Sequence, residues 1–253
     1  MNTKSKFAIV TGGSRGLGKD MVLNLAKKGN NIVFSYHSNT TEAEKVIAEV
    51  RATGQKAMAF QMDVSNTDSI ASFVKQATQY LQEFGGSPNF DFLVNNAGTG
   101  LHQAIADTSE EQLDDMYNIH FKGVYLLTQK LLPYMNDGGR IINISSGLTR
   151  VTFAGLSAYA CMKGAVEVFS RYLAKELGSR KITVNTIAPG AIATDFAGGN
   201  NKKEERQKII ASVTALGRVG EAEDIGATVA FLCSDEAGWV NGQRIELSGG
   251  MMV

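Results

Sequence analysis

The sequence predicts a doubly wound α/β fold with a parallel sheet between layers of helices. Three observations predict it. Short apolar runs alternate with longer segments of helical period from residue 6 to residue 247. The short runs are dense in β-branched and aromatic residues, as strands buried on both faces tend to be. No linker, internal repeat or low-complexity segment interrupts the series, so we expect one domain over residues 1–253.

The elements follow in order along the chain. Strands are predicted at residues 6–11, 31–36, 56–62, 90–95, 140–145, 181–188 and 243–248. Helices are predicted near residues 16–28, 40–53, 66–83, 109–135, 157–178, 202–213 and 221–234. The helix at 109–135 opens with the pattern of a capping box, Ser109 with Gln112. The glycine-rich and charged segment 195–220 is either a lid over a site or a plain surface connection.

Composition excludes several classes of function. Lysine plus arginine and aspartate plus glutamate both total 25, so no charge excess favours nucleic acid or an anionic membrane. Runs of roughly 18 apolar residues do not occur, and no long apolar region precedes the first strand pattern. Cys161 and Cys233 lack zinc-site spacing and suit free thiols in a reducing compartment. We therefore expect a cytoplasmic protein without a metal, whose partners are small molecules or other subunits.

A glycine-rich turn, TGGSRGLG at residues 11–18, follows the first predicted strand. Gly12, Gly16 and Gly18 have the spacing GxxxGxG, and a helical pattern starts at once. Glycines there permit a tight turn and a close backbone approach, while the helix N-terminus presents unpaired N–H groups to a pyrophosphate. The position of this turn at the first strand-to-helix junction favours a dinucleotide site. The alternative is a tight turn that binds nothing.

The end of the second strand indicates which dinucleotide is bound. A site for NAD(H) places a carboxylate about 20 residues beyond the glycines, to accept from the ribose 2′-hydroxyl. Tyr36 stands there instead. A cation and hydrogen-bond donors that suit a 2′-phosphate are available from Arg15, His37, Ser38 and Asn39. NADP(H) is therefore expected in preference to NAD(H), although Arg15 could equally be an exposed loop arginine.

A possible acid lies on the helix predicted at 157–178. Tyr159 and Lys163 are four residues apart and share one helix face. A neighbouring ammonium favours the phenolate and lowers the tyrosine pKa from its usual value of about 10 towards neutrality. Ser146 follows the strand RIINIS, at the sheet edge where ligands of such folds bind. It can donate a hydrogen bond to a substrate oxygen, but no GxSxG elbow marks it as a nucleophile.

Together these motifs resemble the short-chain dehydrogenase/reductase family over essentially the whole chain. The matching motifs, in the family's order, are TGGSRGLG (11–18), Asp63-Val64, NNAG (95–98), Ser146 with Tyr159 and Lys163, and PGAIAT (189–194). The resemblance implies a Rossmann-type domain with a seven-stranded parallel sheet. It also implies hydride transfer between a nicotinamide cofactor and a carbonyl or alcohol.

The resemblance assigns roles to individual residues. Tyr159 would protonate the carbonyl oxygen, Lys163 would hold the nicotinamide ribose, and Ser146 would bind the substrate oxygen. The expected cofactor-binding residues are Gly12, Ser14, Arg15, Gly16, Leu17, Gly18, Tyr36, His37, Ser38, Asn39, Asp63, Val64, Asn95, Ala97, Gly98, Tyr159, Lys163, Pro189, Gly190, Ile192 and Thr194. Asp63 and Asn95 could instead be a strand-end cap or turn residue.

Within the family, the chain looks like the 3-oxoacyl-acyl-carrier-protein reductases and their relatives. Members that dock a carrier protein tend to show basic residues near the site mouth. Asp137 stands where a basic residue would help, although Arg180 and Lys181 remain. A free ketone, an aldehyde or a 3-oxoacyl thioester is equally admissible. The alternatives are alcohol oxidation with NAD and a cofactor sensor without turnover, although the intact Ser146, Tyr159 and Lys163 argue against a sensor. The resemblance also implies a homotetramer built through two long helices and the C-terminal segment.

His120 lies in the helix predicted at 109–135. An apolar stripe runs through this helix at Leu113, Met116, Val124, Leu127 and Leu131, and His120 falls on it, so it should face inward. No other histidine or cysteine is spaced to complete a metal site. In many members of the resembled family this position, three residues before a glycine, is an asparagine that holds a water beside the catalytic lysine. His120 either takes over that role or is a core residue, and Asn118, rotated by about 200°, cannot substitute.

Overall fold

The computed structural model describes residues 6–253, and its elements follow the predicted alternation. The strands are β1 (Phe7–Val10), β2 (Asn31–Tyr36), β3 (Ala57–Gln61), β4 (Phe90–Asn95), β5 (Met135–Ile144), β6 (Thr183–Pro189) and β7 (Arg244–Leu247). The helices are α1 (Gly16–Lys27), α2 (Thr40–Ala52), α3 (Thr67–Gly85), α4 (Glu110–Tyr117), α5 (Gly123–Leu131), α6 (Ser157–Glu176), α7 (Glu204–Ser212) and α8 (Glu223–Leu232).

The seven strands form one parallel sheet in the order β3-β2-β1-β4-β5-β6-β7. The chain builds from β1 outward to β3 and then returns to place β4 on the other side of β1. The carboxyl ends of β1 and β4 therefore flank the point where the strand order reverses. Ligands of doubly wound folds bind in that crevice.

Two hydrophobic cores cover the two faces of the sheet. Because side chains alternate along a strand, Ala8 and Val10 enter one core while Phe7 and Ile9 enter the other. Helices α1, α2 and α8 pack on the first face, and α3, α5 and α6 pack on the second. This arrangement confirms the predicted doubly wound α/β fold. None of the helices within residues 6–253 is long and apolar enough to cross a membrane.

The helix predicted at 109–135 is interrupted. Its capping box is present, with Ser109 Oγ accepting from the backbone N–H of Gln112 at 3.2 Å. A π-helical turn over Asn118–Lys122 then separates α4 from α5. Such a turn contains an extra residue, so the apolar stripe of α4 is out of phase with that of α5. Leu113, expected on the buried stripe, is accordingly 45% exposed.

The same predicted helix also ends early. A 3-10 turn over Leu132–Tyr134 contains Pro133, and β5 starts at Met135 rather than at the predicted residue 140. Proline restricts its own backbone and that of the residue before it, which favours a chain reversal here. The pairing of β4 with β5 shifts register between Phe90 and Phe92 to accommodate the added length. Strand β5 therefore carries an irregular start and a regular, fully buried end.

Candidate active site

Apart from Tyr159 and Lys163, which lie on α6, the predicted cofactor residues lie at or after the carboxyl ends of strands, on one edge of the sheet. They are Gly12, Ser14, Arg15, Gly16, Leu17 and Gly18 after β1; Tyr36, His37, Ser38 and Asn39 at the end of β2; Asp63 and Val64 after β3; Asn95, Ala97 and Gly98 at the end of β4; and Pro189, Gly190, Ile192 and Thr194 at the end of β6. This edge is therefore the candidate site.

The turn between β1 and α1 has the backbone shape of a phosphate loop. Gly12 and Gly16 adopt φ angles of 66° and 52°, which residues with side chains rarely adopt. A Cβ on Gly18 would lie 2.0 Å from the carbonyl oxygen of Gly12. Arg15 provides no side-chain cap for α1, so the first N–H groups of the helix keep their capacity to bind an anion. The loop therefore fits the pyrophosphate of a dinucleotide.

Two other segments converge on this loop. A Cβ on Gly16 would lie 3.6 Å from Cβ of Thr194, so the segment after β6 reaches the start of α1. Asn96 Nδ2 donates to the carbonyl oxygen of Thr11 at 2.9 Å, and Thr11 Oγ1 accepts from the backbone N–H of Ala97 at 2.9 Å. Asn96 is absent from the predicted site residues. Its signal in the sequence is the doubled asparagine of NNAG.

The carboxyl ends of β2 and β3 border a cavity of about 620 Å³ that Tyr36, His37 and Asp63 help to line. Asp63 Oδ1 accepts from the backbone N–H of Ser65 at 2.9 Å and from its hydroxyl at 2.7 Å. Burial raises the pKa of Asp63, but these hydrogen bonds outweigh it, and the pKa is lowered overall. Asn39 caps α2. Asp63 therefore holds a turn as well as lining this cavity, whereas Asn39 holds the start of α2.

Asn95 points away from the cleft into the sheet. Its Nδ2 donates to Thr128 Oγ1 at 3.0 Å and to Asn143 Oδ1 at 2.8 Å, and Asn143 in turn donates to Ser170 Oγ at 2.8 Å. All four residues are buried. This chain of side chains ties α5, β4, β5 and α6 together behind the site. The alternative interpretation of Asn95 as a structural residue at a strand end therefore agrees with its contacts.

Ser146, Tyr159 and Lys163 lie together and are all buried. Lys163 Nζ donates to the carbonyl oxygen of Ile144 at 2.8 Å and lies 5.6 Å from the centroid of the Tyr159 ring. Ser146 Oγ accepts from the backbone N–H of Leu148 at 3.2 Å, which leaves its own proton free to donate. The end of β5 and the first turns of α6 thus bring an acidic hydroxyl, an ammonium and a second hydroxyl to one point.

Burial sets the pKa values of this group. Desolvation raises the pKa of Tyr159, and interaction with the Ser146 hydroxyl acts in the opposite direction. Desolvation also lowers the pKa of Lys163 to about 8. Burial therefore acts against the lowering of the Tyr159 pKa that we expect from Lys163. At neutral pH the phenol is protonated and the amine is charged.

His120 faces inward as predicted and is fully buried in the π-helical turn. Its ring meets that of Tyr159 edge to face, with centroids 4.9 Å apart and an angle of 87° between the planes. Neither ring nitrogen makes a hydrogen bond of standard geometry among residues 6–253, although the Thr99 backbone lies near enough to the imidazole to favour its protonated form slightly. Burial, followed by the charge of Lys163, lowers the pKa of His120 to about 2, so the imidazole is neutral. Asn118 instead accepts from Lys122 Nζ at 3.3 Å.

The segment after β6 lies over Tyr159. Phe196 contacts the Tyr159 ring with centroids 5.8 Å apart and is 45% exposed. The next three residues, Ala197, Gly198 and Gly199, all have positive φ angles. Lys202 Nζ closes the turn by pairing with Asp195 Oδ1 at 2.6 Å. Of the two interpretations of segment 195–220, its first part therefore agrees with a cover over the site.

The basic residues considered for carrier docking lie elsewhere in the chain. Arg180 Nε pairs with Asp137 Oδ1 at 2.8 Å, near the start of β5. Ser146 follows the other end of that strand, so within one chain Arg180 and Lys181 are at the opposite edge of the sheet from Tyr159. Within one chain, Arg180 and Lys181 therefore do not stand beside Tyr159 at the mouth of the site. Within residues 6–253, no group of three or more histidine, cysteine or acidic side chains is placed to hold a metal ion.

Comparisons with known proteins agree with this geometry. Residues 12–252 match the family model described as enoyl-(acyl carrier protein) reductase. The chain is 37% identical to a hydroxynaphthalene reductase-like protein of Metarhizium brunneum, over 97% of this chain and 94% of that protein. It is 36% identical to the 3-oxoacyl-[acyl-carrier-protein] reductase of Staphylococcus aureus, over 98% of both chains. The angucycline C-6 ketoreductase LanV, solved with bound NADP, superposes with a TM-score of 0.93 at 33% identity, covering 98% of this chain and 95% of that one.

The fold and the site define a nicotinamide-dependent oxidoreductase that acts on small molecules. The chain belongs to the short-chain dehydrogenase/reductase family.

Proposed function

We propose that the protein is an NADPH-dependent reductase that converts a ketone to an alcohol, with Tyr159 as the acid. The observation that carries this proposal is the buried cluster of Ser146, Tyr159 and Lys163 beside a phosphate loop. Burial raises the pKa of Tyr159, so the phenol keeps its proton at neutral pH, as an acid must. The same shift disfavours the reverse reaction, alcohol oxidation, in which the tyrosine would have to act as a base.

The chemistry divides between the cofactor and the chain. When bound, a reduced nicotinamide supplies the hydride. Ser146 donates a hydrogen bond to the carbonyl oxygen and holds it beside Tyr159. The Tyr159 hydroxyl transfers its proton to that oxygen as negative charge develops there. The Lys163 ammonium, 5.6 Å from the ring centroid, stabilises the phenolate that remains.

Cofactor preference is proposed from the end of β2. Tyr36 stands at the position where a carboxylate would repel a 2′-phosphate. The Arg15 side chain makes no capping hydrogen bond at the start of α1, so its guanidinium can supply a cation for that phosphate. Similarity to a ketoreductase solved with NADP supports the same preference. Gly12, Gly16 and Gly18 would hold the pyrophosphate, and the cavity beside Tyr36, His37 and Asp63 would receive part of the adenosine.

The substrate is proposed to be a free ketone rather than a carrier-bound thioester. Arg180 is neutralised by Asp137 and lies at the opposite edge of the sheet, so it does not form a basic entrance for an acidic carrier within the chain. Phe196 places an aromatic side chain over Tyr159, which suits an apolar or aromatic substrate. Relatives described as a hydroxynaphthalene reductase-like protein and an angucycline ketoreductase are consistent with such a ketone.

His120 is proposed to hold a water beside Lys163. Two buried ring nitrogens without hydrogen bonds of standard geometry are costly, and a bridging water satisfies such groups. A neutral imidazole can donate from one nitrogen and accept at the other. It would thus take the place of the asparagine that many family members carry there.

Quaternary structure is proposed to be a homotetramer. Tyr125, Val168 and Tyr172 on α5 and α6 are 43%, 45% and 66% exposed, and Trp239, just before β7, is 99% exposed. Apolar patches of this kind on helices and near a C-terminus suit contacts between subunits.

The continuous sheet supports treating residues 1–253 as one NADP(H)-binding catalytic domain. The free thiols of Cys161 and Cys233 support a cytoplasmic location.

The test is a steady-state assay of NADPH oxidation with α-tetralone, ethyl acetoacetate and acetoacetyl-CoA, comparing wild type with Tyr159→Phe. We expect turnover of at least one free ketone and a loss of kcat on the order of 1,000-fold in the variant. NADPH binding, measured by fluorescence titration, should change little. Equal rates in the two proteins, or NADPH binding without any turnover, would contradict the reductase proposal, the second outcome favouring a sensor.

A further inference from the structure

A chain of four alternating charges runs from α6 to the last residues of the protein. Arg244 Nε contacts Glu167 Oε1 at 2.8 Å, and Arg244 Nη1 contacts Glu246 Oε2 at 2.9 Å. Arg150 Nη2 contacts Glu246 Oε1 at 2.6 Å. We refer to Glu167, Arg244, Glu246 and Arg150 as the charge chain.

The inner part of the charge chain is largely shielded from water. The side chains of Glu167, Glu246 and Arg244 are 12%, 17% and 25% exposed. Charge pairs in such positions interact more strongly than surface pairs. Removing one partner destabilises the protein more, because the other charge is left buried and unpaired. Hydrogen bonds from Arg150 and Arg244 outweigh burial and lower the pKa of Glu246 to about 2, so it is ionised throughout the working range.

Glu167 shares a helix face with the catalytic cluster. It lies four residues after Lys163 on α6, and Lys163 lies four residues after Tyr159, so the three side chains follow one line along the helix. Helix α6 thus carries an acid, an ammonium and a carboxylate in sequence. Neither Lys163 nor Tyr159 hydrogen-bonds to Glu167. The Glu167 carboxylate instead accepts hydrogen bonds from other residues.

The contacts of Glu167 and Arg244 surround Ser146. Glu167 Oε1 accepts from Ser145 Oγ at 2.6 Å and from Thr149 Oγ1 at 2.8 Å. Arg244 Nη2 donates to the carbonyl oxygen of Ser146 at 3.3 Å, and Thr149 Oγ1 lies 3.0 Å from the same oxygen, so its single proton goes either to this carbonyl or to Glu167. The backbone is therefore held immediately before, at and after Ser146.

Arg150, at the far end of the charge chain, hydrogen-bonds to the C-terminal segment. Arg150 Nη2 donates to the carbonyl oxygen of Met251 at 2.7 Å, and Arg150 Nη1 donates to that of Met252 at 3.1 Å. Ser248 Oγ donates to Glu246 Oε1 at 2.8 Å. The loop that follows Ser146 is thereby joined to the end of the polypeptide.

We infer that Glu167 and Arg244 are positioning residues that fix the Ser146 hydroxyl relative to Tyr159, with Glu246 and Arg150 anchoring them to the C-terminal segment. This inference rests on the proposed reductase function. The two residues do not touch the substrate. They act by keeping the backbone of Ser146 in one place, and a catalytic hydroxyl displaced by a fraction of an ångström loses much of its effect.

The experiment compares Glu167→Gln and Arg244→Lys with wild type, using the ketone that wild type reduces. Glu167→Gln removes the negative charge but keeps a hydrogen-bond acceptor. Arg244→Lys keeps a positive charge near Glu167 and Glu246 but loses the planar guanidinium, which also reaches Ser146. We expect kcat to fall about tenfold in each variant, with the NADPH dissociation constant unchanged. The matched control is Asp137→Asn, which breaks the pair with Arg180 at the opposite edge of the sheet and should leave kcat unchanged.

A double-mutant cycle with Ser146→Ala distinguishes positioning from a general structural role. If Glu167 and Arg244 act through Ser146, Glu167→Gln should lower kcat less than twofold in the Ser146→Ala background. Multiplication of the two losses, or a fall in kcat that only follows a lower melting temperature in both variants, would overturn the inference. Wild-type kcat in Ser146→Ala itself would instead contradict the proposed function.

Discussion

The cofactor side of the cleft is formed mainly by backbone, whereas the catalytic side is formed by buried side chains. After β1, the backbone itself makes the site: Gly12 and Gly16 have positive φ angles, and Gly18 leaves no room for a Cβ. Around β5 and α6, buried side chains make the site, namely Ser146, Tyr159 and Lys163 with His120 beside them. The first side depends on the shape of one short loop. The second depends on several elements meeting.

This difference predicts different responses to substitution. A backbone site tolerates almost no added atoms but has no titratable group to respond to pH. A site made of buried side chains responds to pH, because desolvation shifts its pKa values. Binding of NADPH and the catalytic step should therefore be separable by mutation.

The largest effect on cofactor binding is expected at the phosphate loop. In Gly18→Ala the new methyl would lie 2.0 Å from the Gly12 carbonyl oxygen, so the backbone must move. We expect the NADPH dissociation constant to rise roughly 100-fold, since a shift of about 1 Å in a binding loop has effects of that size. Fluorescence titration with NADPH measures it. Gly178→Ala is the control, because Gly178 has no positive φ angle and no atom lies within 4 Å of its added Cβ; equal effects in the two variants would contradict a special role for the loop.

The next effect concerns the ribose end of the cofactor. Tyr36→Asp places a carboxylate where the 2′-phosphate is proposed to lie. Repulsion between these charges should lower kcat/KM for NADPH about 20-fold while that for NADH falls little. Kinetics with both cofactors check the prediction, with Tyr36→Asn as the uncharged control. An unchanged ratio of the two kcat/KM values would place the 2′-phosphate elsewhere.

A pH effect of about tenfold is expected on the catalytic side. Lys163 has its pKa lowered to about 8, so its charge, and with it kcat, should fall roughly tenfold between pH 7 and pH 9.

The contribution of Lys163 to the free energy of unfolding should change in the opposite direction and rise with pH. Between pH 8 and the ordinary lysine value of 10.5, the unfolded chain binds the proton that the folded protein has lost, so this group raises the free energy of unfolding with pH.

Comparison with Lys163→Met isolates that contribution. Urea unfolding of both proteins from pH 7 to pH 10 should show the stability difference changing in favour of wild type as pH rises. A constant difference would mean that Lys163 keeps its ordinary pKa in the folded protein.

The smallest effect is expected at His120. His120→Asn keeps a donor and an acceptor and should leave kcat within about twofold of wild type, whereas His120→Leu should lower it about fivefold by removing both. Because the pKa of His120 is about 2, neither variant should alter the kcat profile between pH 5 and pH 7. Unchanged kcat in a stable His120→Leu variant would leave only a packing role.

Much of the fold was predictable from the sequence because each buried strand is a short apolar run bounded by turn residues. The glycine loop was also predictable, since φ angles of 66° and 52° demand glycine at fixed positions in the chain. Tyr159 and Lys163 were visible as a pair because helical spacing alone places them together.

Features that depend on packing were not predictable in this way. The π-helical turn at Asn118–Lys122 leaves the apolar residues of α4 and α5 looking like one stripe, so a continuous helix was the natural expectation. The pairing of Arg180 with Asp137 joins residues 43 apart in the sequence. Arg244 and Glu167 are 77 residues apart. No local spacing indicates such contacts, because the sheet brings them together only when complete.

Gly98 and His120 lie so close together that substitutions at the two positions should affect each other. A Cβ on Gly98 would lie 2.7 Å from Cε1 of the His120 ring, so the imidazole occupies the space that any larger residue at 98 would need. Gly98→Ala alone should therefore be harmful, but the same change after His120→Asn should be tolerated much better. With histidine at position 120, the loop after β4 therefore has no space for a side chain at position 98.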